Sequence, residues 1–373
     1  MKIIILCHSL RLGGAERQIT VLAKGLQQVG HEIVVAVFYA GGALERDLKE
    51  SGICIVDLNK SGRWDIIFFL GRLVNAVRLL KPDIIYGFLF TPNIITVLLK
   101  PFFPGIKMVW GVRSSKVDLD RYDWLYRLTY RVECFLSRFA DVIICNSTAG
   151  MEYAAEHGFP KKLMTVIPNG IDLHVFRPDL EARQRVRAEW GIAKNEVLIG
   201  LVARLDPMKD HPTFLHAAAM LALERGNVRF ACVGDGSDPY KSELISLASK
   251  LNLDDRLKWI GPRFDMPVVC NAFDIACSSS SGEGFSNSII EAMACGVPCV
   301  VTDVGDSALI VRETGVVVPP SSPEALRAAF GLLLNRISPE VGIATRTSIQ
   351  ERYSNERLVA NTADVLMEVL CKP

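Results

Sequence analysis

Short apolar runs rich in Ile and Val recur along the chain, separated by stretches in which apolar residues return every three or four positions. The first set is Lys2–Cys7, Glu32–Phe38, Ile53–Leu58, Asp83–Phe88, Lys107–Val112, Asp141–Asn146 and Leu163–Ile167. Amphipathic segments lie between most of them, Glu16–Gln28 and Ile66–Leu80 among them. Continuous β-branched runs alternating with helices indicate parallel strands covered on both faces. The pattern then restarts with Val197–Val202, Arg229–Val233, Leu257–Ile260, Ile275–Cys277, Pro298–Val301 and Gly315–Val318. Tyr353–Leu370 reads as a closing helix. The changeover falls between Pro168 and Asn195, a stretch with Asn169-Gly170, two prolines and an Arg-rich helix, Glu181–Trp190. This predicts an α/β chain of two Rossmann-like, doubly wound parallel-sheet domains facing across a cleft. Their expected limits are 1–170 and 171–373, with the final helix, about 353–370, packing back toward the N-terminal domain. Such folds hold ligands at the carboxyl ends of their strands.

Composition sharpens this picture. Of 373 residues half are hydrophobic and 22% charged, which excludes disorder and suits two ordinary cores. The ten cysteines form no C-x-x-C pair, and Cys295 and Cys299 have no histidine nearby to complete a zinc site. They read as reduced thiols of a core, hence a cytoplasmic setting. Met1-Lys2 is followed by only four apolar residues, too few for a signal peptide. Asp83–Gly105 is apolar but is broken by three prolines and Lys100, so it does not read as a membrane span. The net charge of +1 hides an asymmetry: residues 1–170 carry 21 Lys+Arg against 15 Asp+Glu, the remainder 21 against 26. Solvated helix faces explain such a bias, and so does an anionic partner of the N-terminal half. No basic run points to nucleic acid. Lys60–Lys81 is a basic amphipathic stretch, either a Rossmann helix on its sheet or a peripheral contact with an anionic bilayer. Trp64, Phe68, Phe69 and Phe102-Phe103 keep the second reading open.

Four segments carry candidate chemistry. Cys7 to Arg17 runs from a strand through Gly13-Gly14 into a helix, where backbone can approach an anion, although an ordinary strand-to-helix turn reads the same. Arg204 and Lys209 lie five apart on one loop stiffened by Pro207, suited to a departing diphosphate or simply solvated. Gly234-Asp235-Gly236 allows a tight turn, beside a nucleotide or not. The segment Glu283-Gly284-Phe285-Ser286-Asn287-Ser288-Ile289-Ile290-Glu291 is a glycine loop running into a helix that Gly296 and Pro298 end. Glu291 would sit about one turn inside that helix and Glu283 before it, so the two carboxylates could grip opposite ends of a nucleotide-sugar.

The E-x7-E pattern from Glu283 to Glu291, flanked by Glu-Gly-Phe-Ser-Asn and Glu-Ala-Met-Ala-Cys-Gly-Val-Pro, resembles the retaining glycosyltransferases of family 4, which have the GT-B fold. The resemblance covers essentially the whole chain. Gly13-Gly14-Ala15-Glu16-Arg17 is similar to that family's first-loop motif, Pro168-Asn169-Gly170-Ile171-Asp172 to its interdomain motif, and Arg204 to Lys209 to its diphosphate-binding pair. The resemblance implies that Arg204 and Lys209 neutralise the diphosphate, Glu291 holds the ribose and Glu283 contacts the transferred sugar. Gly13, Gly14, Gly234, Gly284, Phe285, Ser286 and Asn287 would complete the donor site, with Arg263 as a candidate against the base. Many relatives place a histidine after the strand matching Lys107–Val112; this chain has Arg113 there, a candidate for contact with sugar or acceptor, alongside Glu16.

The implied donor is a nucleotide-sugar, a UDP-hexose of the glucose or GlcNAc type before GDP-mannose. The acceptor would be a glycan or polyprenol-linked sugar in polysaccharide or glycolipid synthesis. No cofactor and no metal are expected, since the leaving phosphate can deprotonate the acceptor on the same face. Asp118-Leu119-Asp120 is formally a D-x-D metal motif but lies in a polar stretch and reads as loop or helix-cap chemistry. A nucleotide-sugar epimerase of the same architecture, a nicotinamide-dependent dehydrogenase and a non-catalytic nucleotide-binding module are the alternatives. The missing G-x-G-x-x-G after the first strand counts against the dehydrogenase.

Overall fold

A computed structural model describes residues 1–11, 13–62, 65–113 and 124–372. Trp64 and the Asp118-Leu119-Asp120 stretch lie outside them. The chain divides into two compact units, Met1–Gly170 with Asn355–Pro373, and Ile171–Ser354.

The first unit opens with β1 (Lys2–Cys7), α1 (Gly14–Gln28), β2 (Glu32–Val37), α2 (Glu45–Glu50), β3 (Cys54–Asp57) and α3 (Ile67–Leu80). It continues with β4 (Ile84–Phe88), α4 (Phe90–Leu99), β5 (Lys107–Val112), α5 (Trp124–Leu136), β6 (Val142–Cys145), α6 (Thr148–Glu156) and β7 (Met164–Val166). Its strands form one parallel sheet in the order β3-β2-β1-β4-β5-β6-β7. Strand alternation splits the core: Ile3, Ile5 and Cys7 pack toward α1, Ile4 and Leu6 toward α3 and α4.

The second unit begins with α7 (Leu180–Glu189), β8 (Val197–Val202), α8 (His211–Glu224), β9 (Val228–Val233), α9 (Asp238–Lys250) and β10 (Leu257–Gly261). Next come α10 (Met266–Ala272), β11 (Ile275–Ser278), α11 (Asn287–Ala294), β12 (Cys299–Thr302), α12 (Ser307–Val311) and β13 (Val316–Val318). Helices α13 (Pro323–Leu334) and α14 (Pro339–Tyr353) close it. The parallel sheet runs β10-β9-β8-β11-β12-β13.

A last helix, α15 (Asn355–Cys371), belongs to the first unit, where Leu358, Val359, Leu366 and Val369 enter the α1 side of the core. The sequence pattern runs Tyr353 into this closing helix; the structure ends α14 there instead. Ser354 is extended (φ −67°, ψ 154°), and Tyr353 packs edge-on to Phe285, ring centroids 5.3 Å apart, in the second unit's core. Helix α3 buries Phe69, Leu73 and Val77 on the sheet, the ordinary Rossmann arrangement, and leaves Ile67 and Phe68 outside. Cys7, Cys145, Cys232, Cys270, Cys277, Cys295 and Cys299 are buried free thiols, and burial pushes Cys7 up to about 12. Among the described residues no helix is long and apolar enough to cross a membrane.

Candidate active site

In the second unit the strand order reverses between β8 and its neighbour β11, since β9 and β10 lie to one side and β12 and β13 to the other. Such a switch point opens a crevice at the strand ends. The loop leaving β8 carries Arg204 and Lys209; the loop leaving β11 carries Glu283. Lys209 Nζ meets Glu283 Oε1, the two side chains 19% and 10% exposed. Ser280 Oγ donates to the same carboxylate oxygen at 2.8 Å. Arg204 stands 69% exposed, its guanidinium 3.6 Å from Asp206. One cation is therefore held inside and one left outside, beside the same loop.

Local chemistry fixes this loop. Asp206 accepts from Met208 N at 2.9 Å and starts a short 3-10 turn over Pro207–Lys209. Asp210, at φ +46°, caps α8 through Thr213. His211 behind it is fully buried, and burial lowers its pKa to about 4, so the imidazole is neutral. Two glycines let a neighbouring loop lie against this one. Gly234 has φ +142°, and a Cβ there would run into the Ala203 carbonyl; one at Gly236 would run into Leu205. Leu205 N donates to Asp235 O at 2.9 Å. The Gly-Asp-Gly turn thus has a packing reason.

Phe285 is an anchor, 8% exposed and sunk into the core below the loop. Ser286 stands at the N-cap of α11, and Asn287 is the first residue of the helix. Glu291 is its fifth residue, half-buried, one turn in. A helix start presents N–H groups and a partial positive charge to an anion. Both ends of the Arg263 guanidinium are engaged, by Asp265 (2.7 and 2.8 Å) and Glu189 (2.6 Å).

Residues that sequence reasoning passed over hold the frame. Ser279 Oγ donates to Lys209 O at 2.9 Å and Ser281 N to Met208 O at 2.8 Å, so the serine run after β11 hangs the β8 loop in place. Thr302 Oγ1 donates to Ser280 O at 2.6 Å. Gly305, at φ +56°, leaves no room for a side chain against the Glu283 and Gly284 carbonyls, and Asp306 N donates to Gly284 O at 3.0 Å. The only sequence signal was four consecutive serines, Ser278–Ser281, directly after an apolar run.

In the first unit the switch point lies between β1 and β4. Gly13 is the extended N-cap of α1, Gly14 its first residue, and the Glu16 carboxylate folds back where a Gly13 side chain would be. Arg113, at the end of β5, donates to Asn169 Oδ1 at 2.7 Å and lies 4.9 Å over the Phe88 ring. Gln18 pairs with both backbone groups of Gly170, at 2.9 and 3.0 Å. Arg113 and Gln18 thus clamp the Asn169-Gly170 motif.

Leu89, just after β4, has φ +71° and ψ 173°, a region kept almost entirely for glycine. It lines a small cavity with Asn93, Arg113, Tyr130 and Glu133. Glu133 is 2% exposed and accepts from Asn93 Nδ2 at 3.2 Å; burial raises its pKa to about 7. Asn93 in turn bonds both backbone groups of Gly111 at 3.3 Å, two residues before Arg113.

With this geometry in view, two family models match the chain. "Glycosyltransferase Family 4" covers residues 12–175 and "Glycosyl transferases group 1" covers 196–336. The putative glycosyltransferase EpsF of Bacillus subtilis is 31% identical over 190 residues, 51% of this chain and 49% of that protein. The UDP-Gal:alpha-D-GlcNAc-diphosphoundecaprenol alpha-1,3-galactosyltransferase of Escherichia coli is 29% identical over 194 residues, 50% and 49% of the two chains. This chain spans about half the length of the curated relatives it matches. Anabaena Alr3699/HepE, solved in complex with UDP, superposes with a TM-score of 0.87 at 23% identity, covering 99% of this chain and 100% of that one; its UDP-glucose complex gives 0.86. At that identity the likeness establishes the fold.

Lys209→Met leaves the Glu283 carboxylate buried without its cation. Urea unfolding is expected to register a loss of about 3 kcal/mol, part of it recovered when Glu283→Gln is added. Glu133 predicts a pH dependence of the other sign from the usual carboxylate. Its folded pKa is raised, so the folded chain binds the extra proton and stability falls as pH rises through about 7. Relative to wild type, Glu133→Gln should gain up to about 3 kcal/mol at alkaline pH compared with about pH 5, measured by denaturation at both.

Proposed function

Since the chain belongs to the group 1 glycosyl transferases of family 4, with the two Rossmann-like domains of the GT-B fold, we propose that it is a retaining, metal-independent hexosyltransferase. Its donor is a UDP-sugar and its acceptor a lipid-linked glycan, met at the cytoplasmic face of a membrane. The observation that carries this reading is the assembly of Arg204, Lys209, Glu283 and the start of α11 at the switch point of one sheet. The UDP complexes of HepE and the UDP-Gal and diphosphoundecaprenol in the Escherichia coli relative's name support the choice of donor and acceptor class.

The chemistry assigned to these residues is mostly electrostatic. The bond between the sugar's anomeric carbon and the diphosphate oxygen breaks, and the acceptor hydroxyl bonds to that carbon on the same face. Its proton passes to a leaving phosphate oxygen. Lys209 and Arg204 meet the charge that grows on the diphosphate, which is where fixed cations lower a barrier most. Glu283 accepts hydrogen bonds from the sugar hydroxyls and Glu291 from the ribose. Neither carboxylate has to form a covalent intermediate. With two cations built into one loop, the departing charge can be met without a metal ion.

Calorimetry with UDP, GDP and ADP in EDTA tests the donor site. UDP is expected to bind without metal, and Arg204→Ala to weaken it by about 1–2 kcal/mol. Proton NMR of the transfer product should show the anomeric configuration of the donor kept. Failure of all three nucleotides to bind, or an indifferent Arg204→Ala, removes the assignment.

A further inference from the structure

On the reading above, Glu283 accepts hydrogen bonds from the hydroxyls of the transferred sugar. A carboxylate does this selectively only when its plane is fixed. The terminal torsion of a glutamate is broad, so an unanchored carboxylate meets hydroxyls from many directions. Lys209 does not remove that freedom, because an ammonium is a point charge whose donors rotate on a flexible stem. A buried hydroxyl on a short side chain does. Ser280 is 1% exposed, and its Oγ donates to Glu283 Oε1 at 2.8 Å.

The Ser280 hydroxyl is not what builds the loop. The β8 loop hangs from the bonds of Ser279 Oγ to Lys209 O and of Ser281 N to Met208 O, and neither involves it. Ser278 Oγ lies 3.4 Å from it, at the edge of hydrogen-bonding range. Ser280 itself is held by its carbonyl, which accepts from Thr302 Oγ1 at 2.6 Å; Thr302, the last residue of β12, is also 1% exposed. The turn that follows β12 grips Glu283 from its backbone side. Gly305 leaves no room for a Cβ against the Glu283 and Gly284 carbonyls, and Asp306 N donates to Gly284 O at 3.0 Å. Carboxylate and backbone of Glu283 are thus referred to the same neighbouring strand.

We propose that Ser280, seated by Thr302, is a positioning residue that sets the direction of the Glu283 carboxylate and with it the discrimination among donor hexoses. Epimeric hexoses differ only in the direction of one hydroxyl. A carboxylate held at one angle accepts from the matching hydroxyl and leaves the other without its partner, whereas a turning one serves both. Ser280 keeps its place on the carboxylate when a diphosphate draws on Lys209. This deepens the donor-site reading and rests on it, but the two fail by different results.

Calorimetry in EDTA with UDP, UDP-glucose, UDP-galactose and UDP-GlcNAc, on wild type and Ser280→Ala, reads the effect. UDP carries no sugar, so its affinity is expected to change less than about twofold, while the preferred UDP-hexose weakens about fivefold or more. Its lead over the next hexose should shrink severalfold. Thr302→Val nearly keeps the shape and loses the hydroxyl; it acts one bond further away and should give the same pattern, smaller. In a Glu283→Ala background, adding Ser280→Ala should weaken hexose binding no further. Thermal melts of Ser280→Ala should stay close to wild type, since the bonds that suspend the loop are untouched. Equal weakening of UDP and UDP-hexoses overturns the proposal, because a hydroxyl that only braces the loop acts on both. An unchanged hexose preference overturns it too. A wild type that binds neither UDP nor any UDP-hexose removes the donor-site reading and this inference with it. Wild-type binding with an indifferent Ser280→Ala removes this inference alone.

Discussion

A lysine and a glutamate seventy-four positions apart in the chain meet in the crevice of the second unit, and much of the local structure serves to hold that contact. Taking two charges out of water costs several kcal/mol unless geometry and further hydrogen bonds compensate. Here the compensation is built from three strand ends. The serine run after β11 carries Glu283 and suspends the Lys209 loop, while the turn after β12 closes over Gly284. Without ligand, Glu283 keeps Lys209 ordered and aimed into the crevice. On the proposed reading, a diphosphate arriving there would find a cation whose freedom has already been lost, so that part of the ordering entropy would be removed from the binding step.

The same economy appears in the first unit. Arg113 stands at the end of β5, and its guanidinium is engaged by Asn169 and stacked on Phe88. Gln18 closes the backbone of Gly170 from the other side. The chain leaves the unit immediately afterwards. A substitution at Arg113 therefore acts on the geometry of that exit as well as on anything bound beside it, and the two effects have to be separated by measuring stability and affinity together.

Fold and site were legible in the sequence to different depths. Period and composition give the strands to within a residue or two, because a parallel strand buried on both faces must be apolar throughout. The candidate site residues announced themselves as motifs: Arg204, Lys209, Glu283, Glu291 and the glycines between. Their supports did not. Ser279, Thr302 and Gly305 act through single hydrogen bonds or the absence of a side chain, neither of which produces a pattern. The partners of Arg263, Glu189 and Asp265, are specified only by folding. The break at Ser354 was missed because helical periodicity continues across it, while Tyr353 is claimed by Phe285 in the other core.

Helix α15 carries a consequence for how the polypeptide is made. It supplies Leu358, Val359, Leu366 and Val369 to the layer that covers α1, and Val359 lies so close over Gly25 that no other residue fits there. These residues are made only after the whole second unit. The N-terminal half emerges first and must wait, one flank of its sheet uncovered, through the synthesis of the whole second unit. Cotranslational folding of this protein thus runs out of order: the half translated second can close on itself as it emerges, and the half translated first is finished only after it. A nascent chain with residues up to Ser354 outside the exit tunnel would hold a complete second unit and an incomplete first one, an arrangement in which chaperones have to guard the older part of the chain.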